Sequence, residues 1–256
     1  MATYLLKKSY QLRDLKEVKF KDLWGDHGVF TTMWIYGCPP KILFFKEHIK
    51  NLIKSAKVYK IYKSSINSDI LKLLKKNLNT KKNYNHLLRV ALNKNTLSIS
   101  LRKRIKPSLN LDLKLVNLKR QKPEFKNLKY KKILKYLSKL NSAKADIGLC
   151  SNKKIFETGT SNILLVKDAK VFSPINNFYK GVTYKFFTSK INRIIKKDIL
   201  VNSLKEFDEI ILIGTGKGVA SVKTIDQIKW KRKSLRFYNL FFQNFKLAIN
   251  SCPNYK

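Results

Sequence analysis

Glycine, proline and cysteine are all scarce in this chain: nine, six and three residues among 256. So few glycines and prolines exclude collagen-like and Gly/Pro-rich low-complexity sequences. Cys38, Cys150 and Cys252 stand far apart with no CxxC pair, which argues against a disulfide framework and against a zinc site. The three histidines, His27, His48 and His86, share no metal-ligand spacing, so no metal is expected. No apolar run approaches the ~18 residues of a membrane span, so no membrane partner is expected. The opening residues MATYLLKKSYQLRDL hold neither an apolar central region nor a small-residue cleavage site, so no secretory signal is expected. A reducing, cytoplasmic setting fits these absences.

Acidic residues are short too. Sixteen Asp and Glu face 55 Lys and Arg, for a formal net charge of +39. A nucleic-acid partner is the first explanation of such an excess. The basic residues, however, are almost all lysine and run through the whole chain rather than gathering in a tail or stripe. A general drift toward Lys and Asn produces that pattern without any such partner, so nucleic acid is not expected to be the ligand. The charge still draws small anions. Hydrophobic residues at 44% and aromatics at 12% suffice for a real core and exclude a disordered chain.

Residues 28–36, GVFTTMWIY, read as a buried strand after the turn WGDHG, and ILFF as a short strand after the turn CPPK. Residues 46–59 place Ile49, Leu52, Ile53 and Ala56 on one face of a helix. A lysine-rich helix is expected near 68–78, then a strand pair, HLLRVAL and TLSISL, joined across NKN. Residues 107–124 carry Pro107 and Pro123 and few strong signals, and read as a linker between domain 1–106 and domain 125–256. In the second half, Leu128, Ile133, Leu134 and Leu137 have helical spacing. DIGLCS and NILLVKD read as strands around NKKIFETGTS, with KVFSP closing a hairpin. Residues 181–196 read as a helix, EFDEIILIGTGKGVASVKTID as strand, Gly-rich turn and strand, and about 235–249 as a last helix. Strands and helices mix without strict βαβ alternation, so the fold class is α+β.

GVFTT, EHIKNLIKSAK, FKNLKY, FETGTSNILLVKD, GVT and GTGKGVASVKTID follow one another in the order, and near the spacing, of a known family. From about Trp24 to Asp226 the chain resembles the fold-type IV pyridoxal-phosphate enzymes: branched-chain aminotransferases, D-amino-acid aminotransferases and aminodeoxychorismate lyases. The resemblance implies a two-domain fold of the D-amino-acid aminotransferase type, with a small N-terminal α/β domain and a larger C-terminal cofactor-binding domain. It implies pyridoxal 5'-phosphate as cofactor and a homodimer.

The resemblance also implies roles for particular residues. Glu157 matches the carboxylate that faces the cofactor's pyridine nitrogen, where a negative partner keeps the ring protonated. Lys126 matches the lysine that bonds the cofactor aldehyde; among 47 lysines, composition alone selects none. Tyr130 matches the tyrosine that bonds the ring hydroxyl oxygen. Val182 and Thr183 match one phosphate-binding pair, at a helix start whose free N–H groups favour an anion. Gly214 and Thr215 match the second phosphate site.

Some positions depart from the family. Asn51 stands where a phosphate-binding arginine is usual, with Lys54 or Lys185 as candidate substitutes. Lys129 replaces an asparagine, and Trp34 replaces an arginine. Thr31 and Thr32 after Phe30 resemble the lyase, where branched-chain aminotransferases carry glutamate and glycine. Thr32 and Arg89 are candidate substrate-binding residues, Arg89 for a carboxylate.

The first expectation is therefore an enzyme similar to aminodeoxychorismate lyase, which converts 4-amino-4-deoxychorismate to 4-aminobenzoate and pyruvate in folate synthesis. An aminotransferase for branched-chain or D-amino acids is the alternative. A basic nucleic-acid-binding protein or a cofactor-less relic of the family is the third reading.

Overall fold

The computed structural model describes residues 3–191 and 193–255. The chain divides into two compact units. One comprises Met1–Arg104, Phe125–Lys131 and Ser251–Lys256; the other comprises Ile105–Glu124 and Lys132–Asn250.

The first unit is built on a six-stranded antiparallel sheet. Its strands are β1 (Tyr4–Gln11), β2 (Glu17–Val18), β3 (Gly28–Gly37), β4 (Lys41–Ile42), β5 (Tyr84–Asn93) and β6 (Thr96–Lys103). Their order is β2-β1-β6-β5-β3-β4. Helices α1 (Phe45–Val58) and α2 (Ile66–Asn77) follow β4. The expected strand ILFF is cut short at Ile42, because Phe44 takes a left-handed conformation (φ 56°) and Phe45 opens α1. The face of α1 carrying His48, Ile49, Leu52, Ser55 and Ala56 is buried. It packs with Val29, Met33 and Ile35 of β3 and with Leu88, Val90 and Leu92 of β5 in one core. Each such Leu or Ile contributes ~1.5–3 kcal/mol on burial.

The chain from Phe125 to Tyr130 is not helical, although its leucine spacing suggests a helix. It runs along the start of β3: Phe30 N donates to Lys126 O (2.9 Å), Leu128 N to Gly28 O (2.9 Å) and Gly25 N to Leu128 O (2.8 Å). Backbone groups at the start of β3 need partners, and this segment supplies them. Leu128 is fully buried with Leu23, Phe30 and Ala91. The helix is confined to α3 (Lys131–Leu137).

The second unit holds a nine-stranded sheet. Its strands are β7 (Leu111–Asn117), β8 (Ala145–Ser151), β9 (Lys154–Thr158), β10 (Asn162–Lys167), β11 (Lys170–Ser173), β12 (Ile194–Lys196), β13 (Glu209–Gly214), β14 (Gly218–Ile225) and β15 (Trp230–Lys231). The order is β12-β11-β10-β13-β14-β7-β8-β9, with β15 on β14. Pairings are antiparallel except β11–β12, β14–β7 and β7–β8. The stretch read as a linker therefore contains β7, whose Leu111 and Leu113 are core residues. The helix expected over 181–196 is α4 (Val182–Lys190); the β-branched run after it forms β12, and position 192 lies outside the described residues. The last helix, α5 (Arg236–Asn250), starts on a buried carboxylate. Glu209 accepts the amides of Phe237 and Tyr238, each at 2.8 Å, which favours a helix N-terminus.

Candidate active site

Glu157 lies on β9, buried to 5% exposure. Simple alternation along a strand puts Ile155 and Glu157 on the same face. A register shift intervenes: Leu149 pairs with Glu157 but Cys150 pairs with Ile155. The extra residue, Phe156, is a bulge, and it turns Glu157 to the face opposite Ile155. Ile155 joins the apolar core, while Glu157 meets a cation. Arg120 Nε donates to Glu157 Oε1 at 2.6 Å and Arg120 Nη2 to Oε2 at 3.2 Å. Arg120 Nη2 also reaches Pro123 O at 2.6 Å. Such a fork-shaped pair fixes the carboxylate plane. A carboxylate offers about four acceptor directions, so this pairing does not exhaust it.

Three turns of the second unit come together around this residue. The Tyr179 amide points at Glu157 Oε2 (3.4 Å). Asn162 donates to Tyr179 O (2.6 Å) and accepts the Gly181 amide (3.2 Å). A Cβ on Gly181 would stand 2.8 Å from Asn162 Oδ1, so the glycine permits this approach. Gly181 is the N-cap of α4, and Val182 and Thr183 begin the helix, both buried. The Thr183 and Thr215 hydroxyls are 3.0 Å apart. Gly214 ends β13 against the third turn, where an added Cβ would meet Ser161 Oγ at 3.2 Å. The structure thus links Glu157, Val182, Thr183, Gly214 and Thr215 within one unit. First-turn amides and two threonine hydroxyls suit a phosphate, and a charge-paired carboxylate suits a protonated ring nitrogen. On those grounds the residues present fit pyridoxal phosphate.

Lys126, Tyr130, Thr32 and Arg89 belong to the first unit. They meet the sheet face opposite the helices. Phe30, Thr32 and Trp34 of β3 point there, as do their partners Ala91, Arg89 and Leu87 of β5. Lys126 Nζ sits over the Phe30 ring at 5.2 Å. Tyr130 packs edge-on to Phe30 (5.6 Å between centroids) and stacks on Trp24 (5.8 Å). Arg89 lies on the other contact of Trp24, its guanidinium carbon 4.3 Å from that ring, and donates to Asp22 O at 2.8 Å. Burial brings the Arg89 pKa down to about 10. An aromatic cluster thus connects the lysine, the tyrosine and the arginine.

The departures are also visible. Trp34 donates to Asn85 Oδ1 (3.0 Å) and packs on Arg104, 4.0 Å from the ring. Asn51 is half-buried on α1. Lys54 and Lys185 are exposed.

Four further residues carry charge or protons near these elements and were not singled out from sequence. Arg120 is one of eight arginines among 55 basic residues, which was the available signal. Asp146 and Lys217 form a buried ion pair at 3.0 Å. His48, buried on α1, shares a 2.8 Å hydrogen bond with Thr31. Burial first, and then the Lys126 charge, bring its pKa down to about 3. Among the described residues no cluster of three or more His, Cys, Asp or Glu could hold a metal ion, and no helix is long and apolar enough to cross a membrane.

Residues 28–225 match the family model for amino-transferase class IV. No curated protein sequence matches the chain. Solved structures do. A branched-chain aminotransferase from Thermoproteus uzoniensis superposes with a TM-score of 0.76 at 15% identity, covering 95% of each chain. A provisional 4-amino-4-deoxychorismate lyase of Legionella pneumophila gives 0.70 at 15% identity, covering 87% of this chain and 91% of that one. The Escherichia coli branched-chain aminotransferase gives 0.70 at 17% identity, covering 95% and 92%. At these identities the likeness is one of fold.

Proposed function

The chain belongs to the class IV aminotransferase family, and from that membership we infer a pyridoxal-phosphate-dependent lyase that converts 4-amino-4-deoxychorismate to 4-aminobenzoate and pyruvate. The observation that carries the lyase reading is the pairing of Thr32 with Arg89 across β3 and β5. No acidic residue occurs in β3, GVFTTMWIYG. A hydroxyl and a guanidinium on one sheet face suit a substrate with two carboxylates, which a glutamate there would repel. The neighbouring rings of Trp24, Phe30 and Tyr130 suit a product that is a flat aromatic acid.

When bound, the cofactor supplies an aldehyde carbon and an electron-withdrawing ring. The chain's own groups do the rest. Lys126 Nζ takes the proton from the substrate carbon that bears the amine, and later returns one. Glu157, fixed by Arg120, holds a proton on the ring nitrogen. Tyr130 orients the ring through its hydroxyl oxygen. The α4 amides at Val182 and Thr183, with the Thr183 and Thr215 hydroxyls, grip the phosphate. Arg89 and Thr32 hold substrate carboxylates. The reading includes a homodimer and a cytoplasmic setting, the latter in keeping with the free thiols of Cys38, Cys150 and Cys252.

Purified protein loaded with pyridoxal phosphate is expected to release pyruvate from 4-amino-4-deoxychorismate with no keto-acid acceptor present. Absence of pyruvate, together with transamination of leucine that depends on 2-oxoglutarate, would replace the lyase by an aminotransferase.

A further inference from the structure

Lys217 differs from the other lysines engaged in ion pairs. Lys8, Lys63, Lys154, Lys167 and Lys233 keep 35–57% of their side chains exposed, whereas Lys217 keeps 8% and its partner Asp146 keeps 1%. In so basic a chain a surface lysine needs no account, but a buried one does.

Asp146 lies on β8 and gathers donors from two turns. Its Oδ2 accepts Thr160 Oγ1 at 2.6 Å and Thr158 Oγ1 at 3.2 Å, both from the turn that follows Glu157. The same oxygen meets Lys217 Nζ at 3.0 Å, from the Gly-rich turn between β13 and β14. Its Oδ1 accepts the Ile147 amide at 2.8 Å. Lys217 is two residues beyond Thr215, whose hydroxyl meets Thr183. Thr158 is the neighbour of Glu157, and its hydroxyl also accepts the Ser161 amide at 3.0 Å.

We propose that Asp146 and Lys217 are positioning residues: their ion pair ties the 214–218 turn to the 158–161 turn and so sets Thr215 and the adjoining backbone for a phosphate. The inference rests on the pyridoxal-phosphate reading above. The pair carries no net charge, so it adds little field at the anion and acts through geometry. A buried ion pair also gives little net stability relative to apolar groups of the same shape, which makes orientation its main physical effect. Removing the lysine leaves Asp146 with its two threonine donors and one amide, so the turn after Glu157 keeps its anchor while the Gly-rich turn loses its tie to Asp146.

The test uses the full chain and two ligands that differ only in the phosphate. Tryptophan fluorescence titration gives dissociation constants for pyridoxal 5'-phosphate and for pyridoxal. Wild type is expected to favour the phosphorylated ligand. Lys217→Met is expected to lower that preference about tenfold, the scale of one charge-assisted hydrogen bond, with pyridoxal affinity unchanged. The double variant Asp146→Asn/Lys217→Met leaves neither charge buried alone, and is expected to lose no more than the single variant. Should the single variant not fold, the double carries the same ratio. Lys205→Met, which removes an exposed cation, is expected to keep the wild-type preference. Equal losses for both ligands, or an unchanged ratio, overturn the positioning role while leaving the cofactor reading intact. A wild-type chain that binds neither ligand overturns the cofactor reading and this inference with it.

Discussion

Nε of Arg120 stands 2.6 Å from Oε1 of Glu157, with only 3% and 7% of the two side chains exposed. Neither charge has water to fall back on. The two charges are buried together, and the carboxylate that the cofactor reading needs is oriented by a residue 37 positions earlier. Arg120→Met should destabilise the protein by about 3–5 kcal/mol, because it removes one half of a buried charge pair. Arg120→Met/Glu157→Gln should recover a substantial part of that loss. Denaturant melts of the two variants decide it; a single variant within ~1 kcal/mol of wild type would mean that the pair is not an anchor.

Lys126→Ala is expected to leave the fold intact, since it is the backbone oxygen of Lys126, kept by alanine, that accepts the Phe30 amide at 2.9 Å. After incubation with pyridoxal phosphate, wild type should show a visible absorbance band that borohydride abolishes, and the variant should show none. A borohydride-sensitive band in the variant would move the role to another lysine.

His48 predicts a pH dependence of stability. Its ordinary pKa of 6.5 drops to about 3 in the folded chain, chiefly through burial and then through Lys126. Between those values the unfolded chain binds a proton that the folded chain refuses, so stability falls as pH falls from 6.5 toward 3. The slope is at most ~1.4 kcal/mol per pH unit from this group. His48→Gln keeps a polar partner for Thr31 and removes the titration. Its stability should start lower near neutrality and decline less steeply with acid; parallel curves for the two proteins would exclude the histidine as the source.

Gly28 and Gly37, at the two ends of β3, should respond differently to alanine. A Cβ at Gly28 would stand 2.2 Å from the backbone oxygen of Leu92 and 2.6 Å from Leu128 Cδ1. Backbone cannot yield cheaply, so Gly28→Ala should cost at least ~3 kcal/mol or abolish soluble expression. At Gly37 the nearest atom is 3.5 Å away, and the cost comes from its left-handed φ of 78°. Gly37→Ala should cost only ~1 kcal/mol. Equal midpoints in urea would contradict this contrast.

Much of the fold was legible because its elements carry their own period. α1 and the strand pair β5–β6 follow apolar spacing that needs no tertiary context, and the α+β class follows from their order. β7 was legible in principle: Leu111, Leu113 and Leu115 alternate, but Pro107 and Pro123 drew attention to a linker instead. The stretch 125–130 was not legible, since Leu128 serves a neighbouring strand rather than a helix face. The bulge at Phe156 depends on how β8 pairs with β9, which no local pattern encodes. Glu157 could be singled out from FETGTSN. Its partner Arg120 has only its rarity as an arginine to mark it, because ion pairing across 37 residues leaves no spacing to read.

The first unit is assembled from three separated stretches of chain. Tyr255 packs on Phe45 and its amide bonds Pro40 O at 2.7 Å, while Phe125–Lys131 covers the start of β3. Its core therefore closes only after the rest of the polypeptide has been synthesised. Gene fusions or shuffled chimaeras that cut once near residue 106 would strip the first unit of two of its three stretches, so the first half is not an interchangeable module.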